Sequence, residues 1–403
     1  MEEVVATLID VPIRPHTKVA YHKVSCLPIA PTVSKGSLQL FKYEPLFMAE
    51  PQEMRAVGEH ISVSSPSMYG VTGLQIPGIR GGSGPAESLF IDKVPMPALS
   101  PTKILIKVKA FGLNRMDISQ RWGQYPVPPQ GGSILGVEFA GIAVQLGEQT
   151  SNKFARGDEV FGLAYGGAYA EYVAVEEGTL IHMPKELSWE EAAGIPEVWM
   201  TATQAMYLVG DFSKGKSILW HAGASAVSIA GVQLSVVAGA SSVYVTASSQ
   251  NKLEFCTRTL GATAGIDYTT QDFAQEINRL TENKGVDIII DFVGQTHLQK
   301  NLDCAAKDGT IVALASLSGT AVKDLNISAF VRKRVSIKGS SLRSRDEAYQ
   351  ARLTDLFMKN TLPLIISHKV QLFTQAVFPW EKICDAHKLM ESNQTKGKII
   401  CTI

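Results

Sequence analysis

Cysteine is scarce and scattered in this chain. Cys26, Cys256, Cys304, Cys384 and Cys401 form no CxxC pair and no metal-ligand spacing, so reduced thiols in a cytoplasmic compartment are expected. Long apolar runs are missing too. Hydrophobic residues make up 45% of the 403 residues, yet Gly, polar or charged residues break every run well short of a bilayer's thickness. Neither sign of charge dominates: Lys plus Arg and Asp plus Glu each total 38, which leaves no electrostatic footprint for nucleic acid or an anionic membrane. A small-molecule partner is therefore expected.

The length favours two domains plus an appendage. Residues 1–67 mix short apolar pieces with Pro12, Pro15, Pro28, Pro31 and Pro51 and hold no sustained period, so they read as a weakly ordered extension. Glu2, Glu3 and Asp10 argue against the acid-poor leader of a transit peptide. From Met68 onward, short strand-like pieces separated by Gly and Pro predict a small barrel-like β domain, with Ile104, Ile106 and Val108 alternating in one of them. Near Ser188 the pattern changes. A capping-box-like Ser188-Trp189-Glu190-Glu191 opens a helix interrupted at Pro196, and strands then alternate with helices, which predicts a parallel doubly wound sheet.

The first of those strands, over 217–221, runs into "HAGASAVS" and a helix. In that setting a small-residue turn places a dinucleotide pyrophosphate on a helix N-terminus. Gly223 is expected to keep the turn tight and Ser225 to offer a hydroxyl to phosphate, while Ala226 and Ser228 stand where glycines belong. Ser228, Gly231, Ser235 and Ala238 give the following helix a face of small residues for a close approach to the sheet. After the next strand, an NAD site would place an acid on the ribose. This chain has Ser248, Ser249 and Lys252 instead, which favours NADPH. His182, His221, His297, His368 and His387 are dispersed with no ligand spacing and read as packing or surface residues.

The segments "FGLNRMDISQRWGQYPVPP", "ILGVEFAG", "IPEVWMTATQAM", "GVDIIIDFVG", "LRSRD" and "NQTKGKI" resemble, in order and spacing, the medium-chain dehydrogenase/reductase superfamily in its zinc-free quinone oxidoreductase branch. The resemblance implies a split architecture: a GroES-like β-barrel catalytic domain over 68–192 and 345–403, and a Rossmann NADPH-binding domain over 193–344. It also implies a homodimer, with "RVSIKGSSL" as the edge strand of the Rossmann sheet. Cofactor-binding positions carried over by motif are Thr201, Gly294, Leu314, Ser316, Leu342, Arg343 and Lys398. Asn114 and Val137 replace the zinc-binding Cys and His of zinc-dependent relatives, so no metal is expected, and Glu138 is expected to serve as a structural hydrogen-bonding residue.

Hydride transfer to a quinone or other activated enone is the activity this resemblance implies, with Asn114 and Tyr125 beside the nicotinamide. Trp122, Tyr125 and Trp199 are candidates to stack on a flat acceptor. Reduction of the activated C=C bond of an acyl chain, or NADPH binding without turnover, are the alternatives.

Overall fold

The structure is a computed structural model that describes residues 53–59, as backbone, and 84–403. β1 (Glu53–Glu59) and β2 (Leu89–Pro95) pair antiparallel over seven residues. β1 falls inside the segment read from sequence as an extension, and this corrects that reading for its seven residues. A strand held by a partner more than thirty positions away leaves little local trace. The rest of residues 1–67, and 68–83 of the expected catalytic domain, lie outside the described residues.

The catalytic sheet uses β3 (Lys103–Gly112), β4 (Glu138–Leu146), β5 (Glu159–Leu163), β6 (Tyr172–Glu176) and β7 (Leu180–His182). The nucleotide domain follows with β8 (Ile218–Trp220), β9 (Val243–Ala247), β10 (Ala264–Asp267), β11 (Val286–Asp291), β12 (Ala305–Ala313) and β13 (Ser336–Gly339). These six are all parallel, in the order β10-β9-β8-β11-β12-β13, so the order reverses at β8. The chain then returns with β14 (Thr374–Pro379) and β15 (Lys398–Thr402), which extend the first sheet to the order β14-β15-β3-β4-β5-β7, with β6 also on β3. Ile400 pairs with Gly112 and Thr402 with Ala110, so a strand from the C-terminal region completes a sheet begun near residue 103.

Local chemistry explains the crossover between the domains. In β3, Ile104, Ile106 and Val108 are buried, as their alternation predicts. Ser188 caps a short helix over Trp189–Ala193: its Oγ accepts from the Glu191 amide at 3.2 Å, while Glu191 Oε2 accepts from the Ser188 amide at 3.0 Å. Pro196 occupies the first position of the next helix, Pro196–Thr203, where its missing N–H costs nothing.

Helix–sheet contact in the nucleotide domain depends on Gly231, in the helix Ala226–Val237 that follows β8. The Trp220 indole lies against it, and a Cβ there would sit 2.2 Å from two of its ring carbons. Trp220 Nε1 donates to Ser235 Oγ at 3.0 Å, one turn further on. The small-residue face thus exists to admit a tryptophan. Among the described residues no helix is long and apolar enough to cross a membrane.

Gly231→Ala is expected to lower unfolding stability by about 1–3 kcal/mol, because the enclosed indole cannot yield. Chemical denaturation checks this, and Trp220→Leu in the same chain should recover part of the loss. Wild-type stability in Gly231→Ala would refute the packing argument.

Candidate nucleotide and substrate site

Between β8 and the Ala226–Val237 helix the backbone makes its turn at Ala222, whose φ is 49°. Gly223 serves a different purpose from the one its sequence context suggested. A Cβ on it would lie 2.8 Å from Val245 Cβ and 3.1 Å from Cys256 Sγ, so it is small because β9 passes close by. Ser225 is the N-cap. Its Oγ accepts from the Ser228 amide at 3.4 Å and donates to Ser228 Oγ at 3.0 Å, and Ser228 Oγ donates to His221 O at 2.8 Å. This relay corrects the expectation that the Ser225 hydroxyl would be offered to phosphate, since its proton goes to Ser228. The first-turn N–H groups of Ala226 and Val227 remain for an anion.

The turn opens on a cavity of about 630 Å³ whose wall carries three cations, Arg115, Lys252 and Lys398, and, among the described residues, no carboxylate. Of the positions expected from sequence, the cavity brings together Asn114, Ser225, Ala226, Ser248, Lys252 and Lys398. Lys252 Nζ donates to Asn393 O at 2.8 Å. Its pKa is lowered, first by burial and then by the nearby charge of Lys396. Lys396 itself donates to Asn251 Oδ1 and lies over the Phe255 ring at 5.5 Å. Two ammonium groups thus share one corner, and neither is paired with a carboxylate among the described residues. Sequence reasoning took Lys398 from the "KGK" motif and missed Lys396.

Other expected positions stand outside the wall. Gly223 and Leu342 are packing residues, and Ser249 stands at the N-cap position of the short helix after β9 without a side-chain capping bond among the described residues. Gly294 turns at φ 81°, where a Cβ would press on Ser316 Cα at 2.9 Å. Beyond β12 the wall is formed by Ala315, Leu317 and Ser318 rather than Leu314 and Ser316, the alternation lost once the strand ends at Ala313. Thr201 Oγ1 is buried with no hydrogen-bond partner among the described residues. Trp199 is a core residue at 3% exposure, so its ring is not free to stack on a ligand as expected, and Trp122, whose indole N–H is held by Glu391 Oε1 at 3.2 Å, stands outside the cavity wall.

At the opposite end Asn114 is fixed from both sides. Its Nδ2 donates to Glu138 Oε1 at 2.8 Å, and its Oδ1 accepts from Lys398 Nζ at 3.0 Å. Lys398 also donates to Leu113 O at 2.7 Å and to Glu138 Oε1, which uses all three of its protons. Glu138 Oε2 accepts the Glu197 amide at 2.9 Å. The Glu197 carboxyl is pushed up to about 8, first by burial and then by Glu138. Asp117, which accepts the Asn114 amide at 2.8 Å and the Tyr169 hydroxyl at 3.1 Å, is pushed up to about 6 by burial.

Arg343 belongs to this end rather than to the cofactor wall where it was expected. Its Nε donates to Tyr165 O at 2.6 Å, its Nη1 donates to Gln120 Oε1 at 2.7 Å, and its Cζ lies 5.5 Å from the centre of the Tyr125 ring. Tyr125 is half-buried and outside the cavity wall. Burial, then Glu197, raises its pKa, so the phenol keeps its proton at neutral pH.

Comparison with known proteins fits this geometry. A family model described as an alcohol dehydrogenase GroES-like domain matches residues 100–185, and one described as a zinc-binding dehydrogenase matches residues 226–358. The 2-methylene-furan-3-one reductase of Solanum lycopersicum is 31% identical over 324 residues, covering 76% of this chain and 73% of that protein. The chain belongs to the medium-chain dehydrogenase/reductase superfamily. The synaptic vesicle membrane protein VAT-1 homolog of Danio rerio is 28% identical over 76% of this chain, which spans only 65% of that relative's length. The crystal structure of a quinone oxidoreductase from Pseudomonas syringae superposes with a TM-score of 0.72 at 25% identity, covering 87% of this chain and all of that one. These matches agree with the zinc-free quinone oxidoreductase branch.

A catalytic zinc does not fit the residues of this oxidoreductase. Both ends of the Asn114 carboxamide are engaged, Val137 has no ligand atom, and the Lys398 ammonium already stands against Glu138 where a metal cation would compete with it.

Because the Glu197 carboxyl holds its proton in the folded state up to about pH 8 but ionises near 4.5 when unfolded, its contribution to stability falls as pH rises between those values. Glu197→Gln is expected to flatten the decline in melting temperature from pH 6 to pH 8, a window above the Asp117 transition. Parallel melting curves of variant and wild type across that range would show Glu197 ionised.

Proposed function

We propose that this oxidoreductase uses NADPH to reduce a quinone or another activated enone without zinc. The observation that carries the reading is the cavity wall: cations and a helix N-terminus, with no carboxylate among the described residues, beside Ser248 and Lys252 where an NAD site would place an acid. The amides of Ala226 and Val227 would hold the pyrophosphate, Ser248, Lys252 and Lys396 the 2′-phosphate, and the unpartnered Thr201 hydroxyl the phosphate nearer the nicotinamide. When bound, NADPH supplies a hydride.

The chain's own residues supply the rest. Lys398 and Glu138 hold Asn114 in one orientation as a rigid wall of the cavity. Tyr125, protonated and on the same side as Glu197 and Arg343, would donate a hydrogen bond to that oxygen. The tomato relative is named as a reductase of a methylene-furanone, an activated C=C bond, which supports conjugate reduction as the second reading.

Two measurements test this proposal. NADPH is expected to bind at least about tenfold more tightly than NADH, and Lys252→Glu to abolish or reverse that preference; equal affinity in the wild type would refute the cofactor assignment. Turnover with a panel of quinones and enones then separates the two acceptor classes, and tight NADPH binding with no turnover on either would favour a non-catalytic role.

We also propose a homodimer paired through β13, whose four residues are exposed on the sheet's outer edge. Light scattering at micromolar concentration should give twice the mass of one chain; a monomer there would exclude it.

A further inference from the structure

His297 closes the cavity next to the site assigned to the 2′-phosphate. The residue is 7% exposed, it lines the cavity, and its Nε2 has no hydrogen-bond partner among the described residues. Its ring centre lies 5.8 Å from that of Tyr268 and 4.8 Å from that of His221. His221 Nδ1 in turn meets Thr246 Oγ1 at 2.9 Å, on the strand that leads to Ser248. His297 therefore belongs with Ser248 and Lys252, at the adenosine end of the cavity.

Proton counting fixes what Nε2 can do. The Ser318 hydroxyl donates to Val293 O at 2.8 Å, since a carbonyl can only accept. The 3.1 Å contact between Thr296 Oγ1 and Ser318 Oγ then requires the proton of Thr296. With that proton spent, the 3.0 Å contact between Thr296 Oγ1 and His297 Nδ1 must be an Nδ1–H donation. Burial, with His221 beside it, pushes the imidazole down to about 4, so the ring is neutral at pH 7. A neutral ring protonated at Nδ1 leaves on the buried Nε2 a bare lone pair that can only accept.

We propose that His297 Nε2 accepts a hydrogen bond from the 6-amino group of the adenine base and so makes the nucleotide site selective for adenine over a base with a C6 carbonyl. The inference rests on the NADPH reading above. A 6-oxo base would set its own lone pair against that of Nε2 and leave both unsatisfied. Thr296 and Ser318 act as positioning residues that hold the tautomer.

The test uses NADPH and its deamino analogue, which carries hypoxanthine, titrated by nicotinamide fluorescence against the full chain. Wild type is expected to bind the analogue about tenfold more weakly than NADPH. His297→Phe should weaken NADPH and bring the two affinities together, His297→Gln should restore part of the discrimination by supplying an amide oxygen, and Thr296→Val should reduce it by releasing the tautomer. Equal wild-type affinity for the two nucleotides would overturn the proposal whatever the variants do, as would discrimination that persists in folded His297→Phe. If wild type binds neither nucleotide, the cofactor reading itself has failed, which is a separate result from binding both alike.

Discussion

The buried pair between Lys398 and Glu138 is the contact on which this architecture turns. Lys398 opens a strand that follows the whole nucleotide domain, Glu138 opens a strand that precedes it, and the pair also takes in Asn114, Leu113 O and the Glu197 amide. Removing two charges from water is costly, and hydrogen bonds to the remaining oxygens and protons offset that cost here. Loss of either partner would strand the other at a cost of roughly 3–5 kcal/mol. In one place the pair joins the two parts of the catalytic sheet, sets the start of the helix that leads to the nucleotide domain, and fixes the residue at the floor of the cavity.

Around that anchor the protein divides its polar chemistry by sign. The cavity wall carries cations, while the acids at its far end are turned inward: Glu138 is paired with Lys398, the Glu197 carboxyl is pushed up to about 8 by burial, and Asp117 accepts the Asn114 amide and the Tyr169 hydroxyl. An anion entering the cavity would meet favourable potential along that wall. The serine relay from Ser225 through Ser228 to His221 O serves the same division. It satisfies polar groups inside the turn with side chains, so a loop poor in glycine can still present its amides outward.

Much of the fold was legible because periodicity and capping are local. The alternation in β3, the Ser188 box, Pro196 at a first helical turn and the run of strands and helices all appear in the structure near where the sequence puts them. Long-range pairing was legible only through motif resemblance: nothing local in "KIICT" says that it joins "KAFG". Half of the site was readable for a related reason. Asn114, Ser248 and Lys252 follow from motif position, whereas Tyr268 and His297 reach the cavity, and Lys396 its Lys252 corner, through loop geometry that spacing does not encode. Leu314 and Ser316 were displaced from the wall because alternation stops where β12 ends. Arg343 was misplaced because its motif gives its position in the chain and not the direction of its side chain.

The return of β15 to β3 also orders events during synthesis. When β3 emerges from the ribosome, the edge that will receive β15 has no partner, while the nucleotide domain that follows can form its parallel sheet from consecutive βα units. The catalytic sheet therefore waits with an open edge, and the cavity floor at Asn114 stays unformed until Lys398 arrives. In a chain of this design the turn after β8 is built from neighbouring segments, whereas the far end of the cavity needs segments more than 250 residues apart.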